Sequence, residues 1–224
     1  MFNYIVRRVL QSIPILLVVL TLVFVFVRVL PGDPAVAALG DYASKEAVQA
    51  LREKLGLDVP LWVQYFRFLG NLLKGDLGSS LITGYPVAQQ ISNDLPYTLE
   101  LTFCAILFGY VFGIPLGLSA AVKRNSFIDY FNRIFSLVGL SIPAFYLGVL
   151  LMYVFSIKFM LFPVVGGGNL SDPLDNLRHL FLPALTLGLI MMAYITRMSR
   201  SSLLETLGQD YVRTAHSKGI TDRR

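Results

Sequence analysis

The chain has 224 residues, 55% of them hydrophobic and 15% charged, with a mean hydropathy of +0.63; an ordinary soluble domain is about 45–50% apolar and about 25% charged. Lipid is therefore the expected main solvent, which excludes an ordinary soluble enzyme. The net charge of +5 does not point to nucleic acid, because the basic residues are divided by membrane side instead of gathered on one soluble face.

Crossing a hydrocarbon core of roughly 30 Å takes about 20 mostly apolar residues in a helix. Four stretches qualify, at about 9–30, 97–122, 134–157 and 180–198. The first follows Arg7 and Arg8 and ends near Arg28. Ala35-Val36-Ala37 imitates a signal-peptidase site, but the apolar run is longer than the roughly 7–15 residues of a signal core, and Pro31 and Pro34 intervene. An uncleaved membrane helix is expected.

Residues 31–96 mix turn formers with an amphipathic pattern. Leu61, Trp62, Tyr65, Phe66, Leu69, Leu72 and Leu73 make one apolar face at helical spacing. Such a helix can lie in the outer interface or pack on other helices. Gly75-Asp76-Leu77-Gly78-Ser79-Ser80 then reads as a tight loop.

In the second stretch Ala105, Gly109, Gly113, Gly117 and Ala121 recur every four residues. Small side chains in one row let another helix approach closely, within the chain or from a second subunit. Cys104 reads as a small core residue. Each apolar stretch holds one proline, Pro14, Pro115, Pro143 or Pro183, read as a kink that aids packing. Glu100 and Arg28 sit near outer ends, where snorkelling accounts for them as well as a substrate contact does. The loop at 162–176, with Gly166-Gly167-Gly168 and Asp172-Pro173, is read as irregular.

Beyond the fourth stretch an amphipathic helix continues from Arg197 and breaks at Gly208. Asp210 is a suitable N-cap, residues 211–218 make about two helical turns with Lys218 in the last, and Gly219 suits a left-handed stop. A short capped helix of this kind is either a rigid knob for a soluble partner or an ordinary solvated loop helix.

With the N-terminus in the cytoplasm, segments 1–8, 123–133 and 197–224 face inward. They hold eleven basic residues (Arg7, Arg8, Lys123, Arg124, Arg133, Arg197, Arg200, Arg213, Lys218, Arg223, Arg224) against Asp129, Glu205, Asp210 and Asp222, a net +7 that leaves −2 elsewhere. The positive-inside rule supports this orientation. No G-x-x-x-x-G-K-[ST] occurs, so no P-loop in the chain hydrolyses ATP. No Asp/Glu/His relay crosses the spans, which argues against an ion-driven carrier. His179 and His216 fall on opposite sides in this topology and cannot share a metal.

Tyr4-Ile5-Val6-Arg7-Arg8, Pro31-Gly32-Asp33-Pro34, Gly75-Asp76-Leu77-Gly78-Ser79, Thr98-Leu99-Glu100-Leu101, Gly113-Ile114-Pro115-Leu116-Gly117, Asp210-Tyr211-Val212-Arg213-Thr214-Ala215 and Lys218-Gly219 occur in this order along nearly the whole chain. In order and spacing they resemble the first permease of the ATP-binding-cassette importers for dipeptides, oligopeptides and nickel. The resemblance implies an all-α integral membrane protein of the type I importer permease fold. Four transmembrane helices lie in this chain, and six are expected in a complete member, because two further spans and the end of the I-x-L-P motif would fall beyond Arg224. It implies an N-terminal tail and first helix at 1–30, an extracytoplasmic region at 31–96 and a permease core at 97–224, with a coupling loop at 199–224.

Arg213 to Gly219 corresponds to the family's E-A-A-x-x-x-G loop, with Arg and Thr in place of Glu and Ala. The coupling residues implied are Asp210, Tyr211, Arg213, Thr214, Ala215, Lys218 and Gly219. The implied partners are a second homologous permease, two cytoplasmic subunits that bind ATP and magnesium, an extracytoplasmic binding protein and a peptide substrate, at the bacterial inner membrane. The chain itself is expected to hold no cofactor or metal and to be no enzyme. A nickel permease and a membrane-anchored sensor whose outer domain is 31–95 are the rival readings.

Overall fold

The computed structural model describes residues 1–29, 33–40, 43–80 and 83–220. Leu30, Pro31, Gly32, Asp222, Arg223 and Arg224, on which parts of the reading above rest, lie outside the described residues. The described chain is nearly all helix and divides into two units, Met1–Asp94 and Leu95–Arg224.

In the first unit α1 (Phe2–Val29) exposes apolar side chains along its length, among them Ile15, Leu16, Val18, Leu22 and Phe26. Three short helices follow, α2 (Pro34–Leu39), α3 (Lys45–Leu55) and α4 (Leu61–Leu73). Local chemistry sets their ends. The Asp33 carboxylate accepts the Ala35 N–H at 2.9 Å, and Pro34 fills the first helical position, where its missing N–H costs nothing. Ser44 caps α3, and Gly56 stops it in the left-handed conformation at φ +63°. Arg52 of α3 pairs with Asp33, tying α3 to the cap of α2.

The apolar face expected on α4 is divided in the structure. Tyr65 and Phe68 pack on Phe24 of α1, with ring centroids 5.2 and 5.8 Å apart, and the Tyr65 and Thr21 hydroxyls are 2.6 Å apart. The residue α4 buries most deeply is Gln64, whose side-chain oxygen accepts from Arg28 at 2.6 Å while its amide donates to the carbonyls of Val59 and Leu57. Arg28 is thus bound to α4 within the first unit. Trp62 and Phe66 remain exposed. After α4, Gly75 and Gly78 adopt φ of +80° and +74°, and the Asp76 carboxylate accepts the Gly78 N–H at 2.8 Å, closing a tight turn.

α5 (Val87–Val122) begins ten residues earlier than expected. Residues 87–96, expected to belong to the extracytoplasmic region, are carried by the helix as its first turns. In the second unit the expected third span is two helices, α6 (Phe127–Ser141) and α7 (Ala144–Met152), bent by 97° at Ile142-Pro143. Ile142 is extended at ψ 123° because the proline ring crowds the helical conformation of the residue before it. A π-helical turn, Tyr153–Lys158, continues α7. α8 (Pro173–Leu207) starts inside the expected 162–176 loop, since Asp172 caps it by accepting from Leu174 and Asp175. α9 (Asp210–Ser217) follows. Among the described residues three helices are long and apolar enough to span a membrane, or four if the bent pair is one span.

The Arg52 guanidinium holds the Asp33 carboxyl below its ordinary value, aided by the Ala35 N–H. A depressed folded-state value means the stabilisation is complete above about pH 4 and is lost as pH falls through the lower folded value. Protection of the α2 amides relative to their intrinsic exchange rates is expected to fall on acidification below about pH 4, and Arg52→Gln is expected to move that onset to higher pH.

Candidate functional site

α8 is the spine of the second unit, and α5 and α6 grip it by different chemistry. On α5, Ala105, Gly109, Gly113, Gly117 and Ala121 are all buried, and the three glycines face α8. A β-carbon at Gly109 would lie 2.8 Å from that of Met191, one at Gly113 3.0 Å from that of Ile195, and one at Gly117 2.6 Å from the Thr196 carbonyl. At these separations only hydrogen fits. Thr196 Oγ1 donates to the Gly113 carbonyl at 3.2 Å, a bond between helices at the point of close approach. The row is therefore matched by a helix of the same chain.

α6 meets α8 along a polar seam. Asp129, Asn132 and Ser136 of α6 are buried, and Thr196 of α8 is 1% exposed. Arg200 donates from Nε to Asp129 Oδ1 at 2.6 Å and from Nη2 to Oδ2 at 2.9 Å. This planar fork satisfies both carboxylate oxygens. Oδ2 also accepts the Asn125 N–H, and Asn132 donates to the Leu116 carbonyl of α5 at 3.4 Å. Higher on the seam, a β-carbon at Gly139 would lie 2.9 Å from that of Ala193. Beside the ion pair a cleft of about 490 Å³ opens between α6 and α8. Asn132 Oδ1 and Ser136 Oγ are buried there without a hydrogen-bond partner among the described residues.

Sequence reasoning placed Asp129 and Arg200 as charges of the cytoplasmic side and missed their pairing. The signal was the recurrence of Asp129, Asn132 and Ser136 at three- and four-residue steps in an apolar helix, facing Thr196 and Arg200 four apart. Polar residues in that rhythm mark a buried polar face.

At the other end of α8, Glu100 accepts from Asn176 at 2.6 Å, and Tyr97 donates to the Gly168 carbonyl at 3.2 Å. Gly168, at φ +67°, sits so close that a β-carbon would lie 2.8 Å from Asn176 Cα. Glu100 and the glycine-rich loop thus pack the N-terminal end of α8 against α5.

α8 ends at Gly208, and α9 turns off it. Gln209, extended at ψ 149°, holds the cap position and makes no side-chain cap bond. Asp210, expected as the N-cap, is instead the first helical residue, where its charge complements the positive helix end. The stop is the one expected. Gly219 is at φ +80°, its N–H donates to His216 O at 2.9 Å, and Ile220 N–H donates to Ala215 O at 3.2 Å. That bond pair closes a helix on a left-handed residue. Tyr211, Arg213, Thr214 and Lys218 are exposed, and Ala215 is half-buried. The Arg213–Asp210 contact, at 4.0 Å and exposed, adds little stability. α9 is thus a closed two-turn helix with a free polar and aromatic face, joined to α8 by two residues.

Replacing Gly113 by leucine is expected to force α5 and α8 apart and cost about 1–3 kcal/mol, read as a lower melting temperature in detergent. Gly70→Ala on α4, where a β-carbon meets nothing within 4 Å, serves as the neutral control. Removing one partner of a buried pair, as in Asp129→Ala, is expected to cost about 3–5 kcal/mol in the same measurement.

Residues 1–102 match the family described as the N-terminal part of the binding-protein-dependent transport system membrane component, and residues 113–224 match the binding-protein-dependent transport system inner membrane component. The chain is 40% identical to the glutathione transport system permease protein GsiC of Salmonella paratyphi A over 222 residues, covering 99% of this chain and 70% of that protein. It is 42% identical to the GsiC of Pectobacterium atrosepticum and 39% identical to that of Escherichia coli K12, with the same coverage. An all-helical chain with apolar spans, a glycine-matched helix pair and matches along nearly its whole length belongs to the inner-membrane permeases of ATP-binding-cassette importers, in the peptide and nickel family.

Proposed function

We propose that the chain passes the force of ATP hydrolysis into the membrane through α9, as one permease of a heterodimeric importer of short peptides. Two cytoplasmic subunits that bind ATP and magnesium engage α9, and an extracytoplasmic binding protein delivers substrate to the outer unit. The observation that carries this reading is mechanical. α9 is a stiff, exposed helix two residues from α8, and α8 is locked to α5 by glycine contacts and to α6 by the Asp129–Arg200 fork. Displacing α9 therefore moves a packed three-helix body instead of bending a loop.

The orientation that presents α9 to the cytoplasm rests on the basic inward segments. The unpartnered Asn132 Oδ1 and Ser136 Oγ fit an assembly in which a further membrane helix brings a donor to the cleft between α6 and α8. Glutathione, the substrate in the relatives' names, is a tripeptide, so a short peptide is the substrate class proposed here over nickel.

Gly219→Pro cannot adopt φ +80°, and Ala215→Asp puts a charge on the half-buried side of α9. In a complete complex both are expected to abolish uptake of labelled glutathione and the stimulation of ATP hydrolysis by loaded binding protein, with membrane insertion kept. Gly219→Asn, which tolerates the left-handed conformation, is expected to keep most of both. Uptake that survives Gly219→Pro and Ala215→Asp would remove α9 from the coupling path.

A further inference from the structure

The contacts of α1 give α4 a depth in the membrane. Arg8 and Arg28 are 20 residues apart on α1, about 30 Å at 1.5 Å per residue, which equals the thickness of a hydrocarbon core. Arg28 thus marks the outer boundary, and Thr21 lies about 10 Å deeper. α4 binds α1 between these levels, through Gln64 to Arg28, Tyr65 and Phe68 to Phe24, and Tyr65 to Thr21.

Around its own axis α4 has three sectors. Gln64, Phe68 and Leu72 lie on the side that meets α1. Next to them Trp62, Phe66, Leu69 and Leu73 fall within about 60° of arc. Trp62 is 67%, Phe66 66% and Leu73 91% exposed. Arg67 and Lys74 lie on the far side. A row of large apolar groups left open beside a membrane span needs a cover. Leu22, Val23, Val25 and Phe26 of α1 are exposed between the levels of Thr21 and Arg28, and lipid covers them.

We propose that α4 is an interfacial helix of the outer leaflet. Trp62, Phe66, Leu69 and Leu73 rest against the upper acyl chains, while Arg67 and Lys74 reach the phosphate level. Tryptophan and tyrosine favour this depth because their rings are apolar with one polar edge. The helix lays the outer unit against the membrane surface and fixes its height through the Arg28–Gln64 bond. This inference requires that α1 spans the bilayer with its N-terminus inward, the orientation used under the proposed function, and it is independent of the coupling role of α9.

Trp62 is the chain's one tryptophan, so its fluorescence reports this site directly. The full chain is reconstituted in nanodiscs of phosphatidylcholine and phosphatidylglycerol carrying a nitroxide either near the headgroup or deep in the acyl chain, and iodide is the aqueous quencher. The shallow nitroxide is expected to cut Trp62 emission at least about twofold, the deep one less, and iodide least. Quenching by iodide with neither nitroxide effective would put the stripe in water and overturn the proposal. No quenching by any of the three would mean that protein covers Trp62, and deeper quenching by the acyl-chain probe would place α4 inside the hydrocarbon; either result also overturns it.

Discussion

The second unit depends on how closely α5 approaches α8. In lipid no hydrophobic drive pulls two apolar helices together, so they must gain contact by surface fit. Gly109, Gly113 and Gly117 supply that fit by removing every side-chain atom between the α5 backbone and Met191, Ile195, Thr196 and Ser199. With the backbones so close, Thr196 can donate to the Gly113 carbonyl. A single added methyl at these positions has no space. The same reciprocity appears elsewhere, where Gly188 of α8 receives Phe108 of α5 and Gly139 of α6 receives Ala193 of α8.

Among the described residues the interior mixes small and apolar side chains with a polar seam, while large apolar side chains cover the outside. The largest fully buried side chains are Asn132, Thr196 and Asp129, while phenylalanines, leucines and valines are spread over the surface. Apolar groups lose nothing against lipid, whereas an amide or carboxylate there must find a partner. The matched pairs are therefore the specific contacts. Arg28 with Gln64 orders the first unit, and Arg200 with Asp129 orders the second. The fork ties α6 to α8 one helical turn beyond Thr196, on the side of α8 that leads to α9.

The bend at Ile142-Pro143 gives α6 and α7 separate directions while both pack on α8. Proline here breaks a span, whereas Pro96, Pro115 and Pro183 lie within continuous helices. A lost N–H is tolerated wherever a neighbour donates to the freed carbonyl, so the residue type alone does not decide between a kink and a break.

The sequence by itself determined that the chain is helical, that it lives in lipid, where the glycine row runs, and where α9 stops. These are consequences of hydrophobic run length, four-residue spacing and the conformational freedom of Gly219, all local properties. The family was legible for the same reason, since its motifs are short and ordered along the chain. Only the tertiary structure decided that the glycine row meets α8, that Asp129 and Arg200 join as a buried fork, that the α4 face is shared between α1 and open surface, and that the third span breaks at Pro143. Each of these depends on which residues, distant in the chain, supply the partner for a buried polar atom or fill the space beside a missing side chain. Periodicity carries no record of that partner.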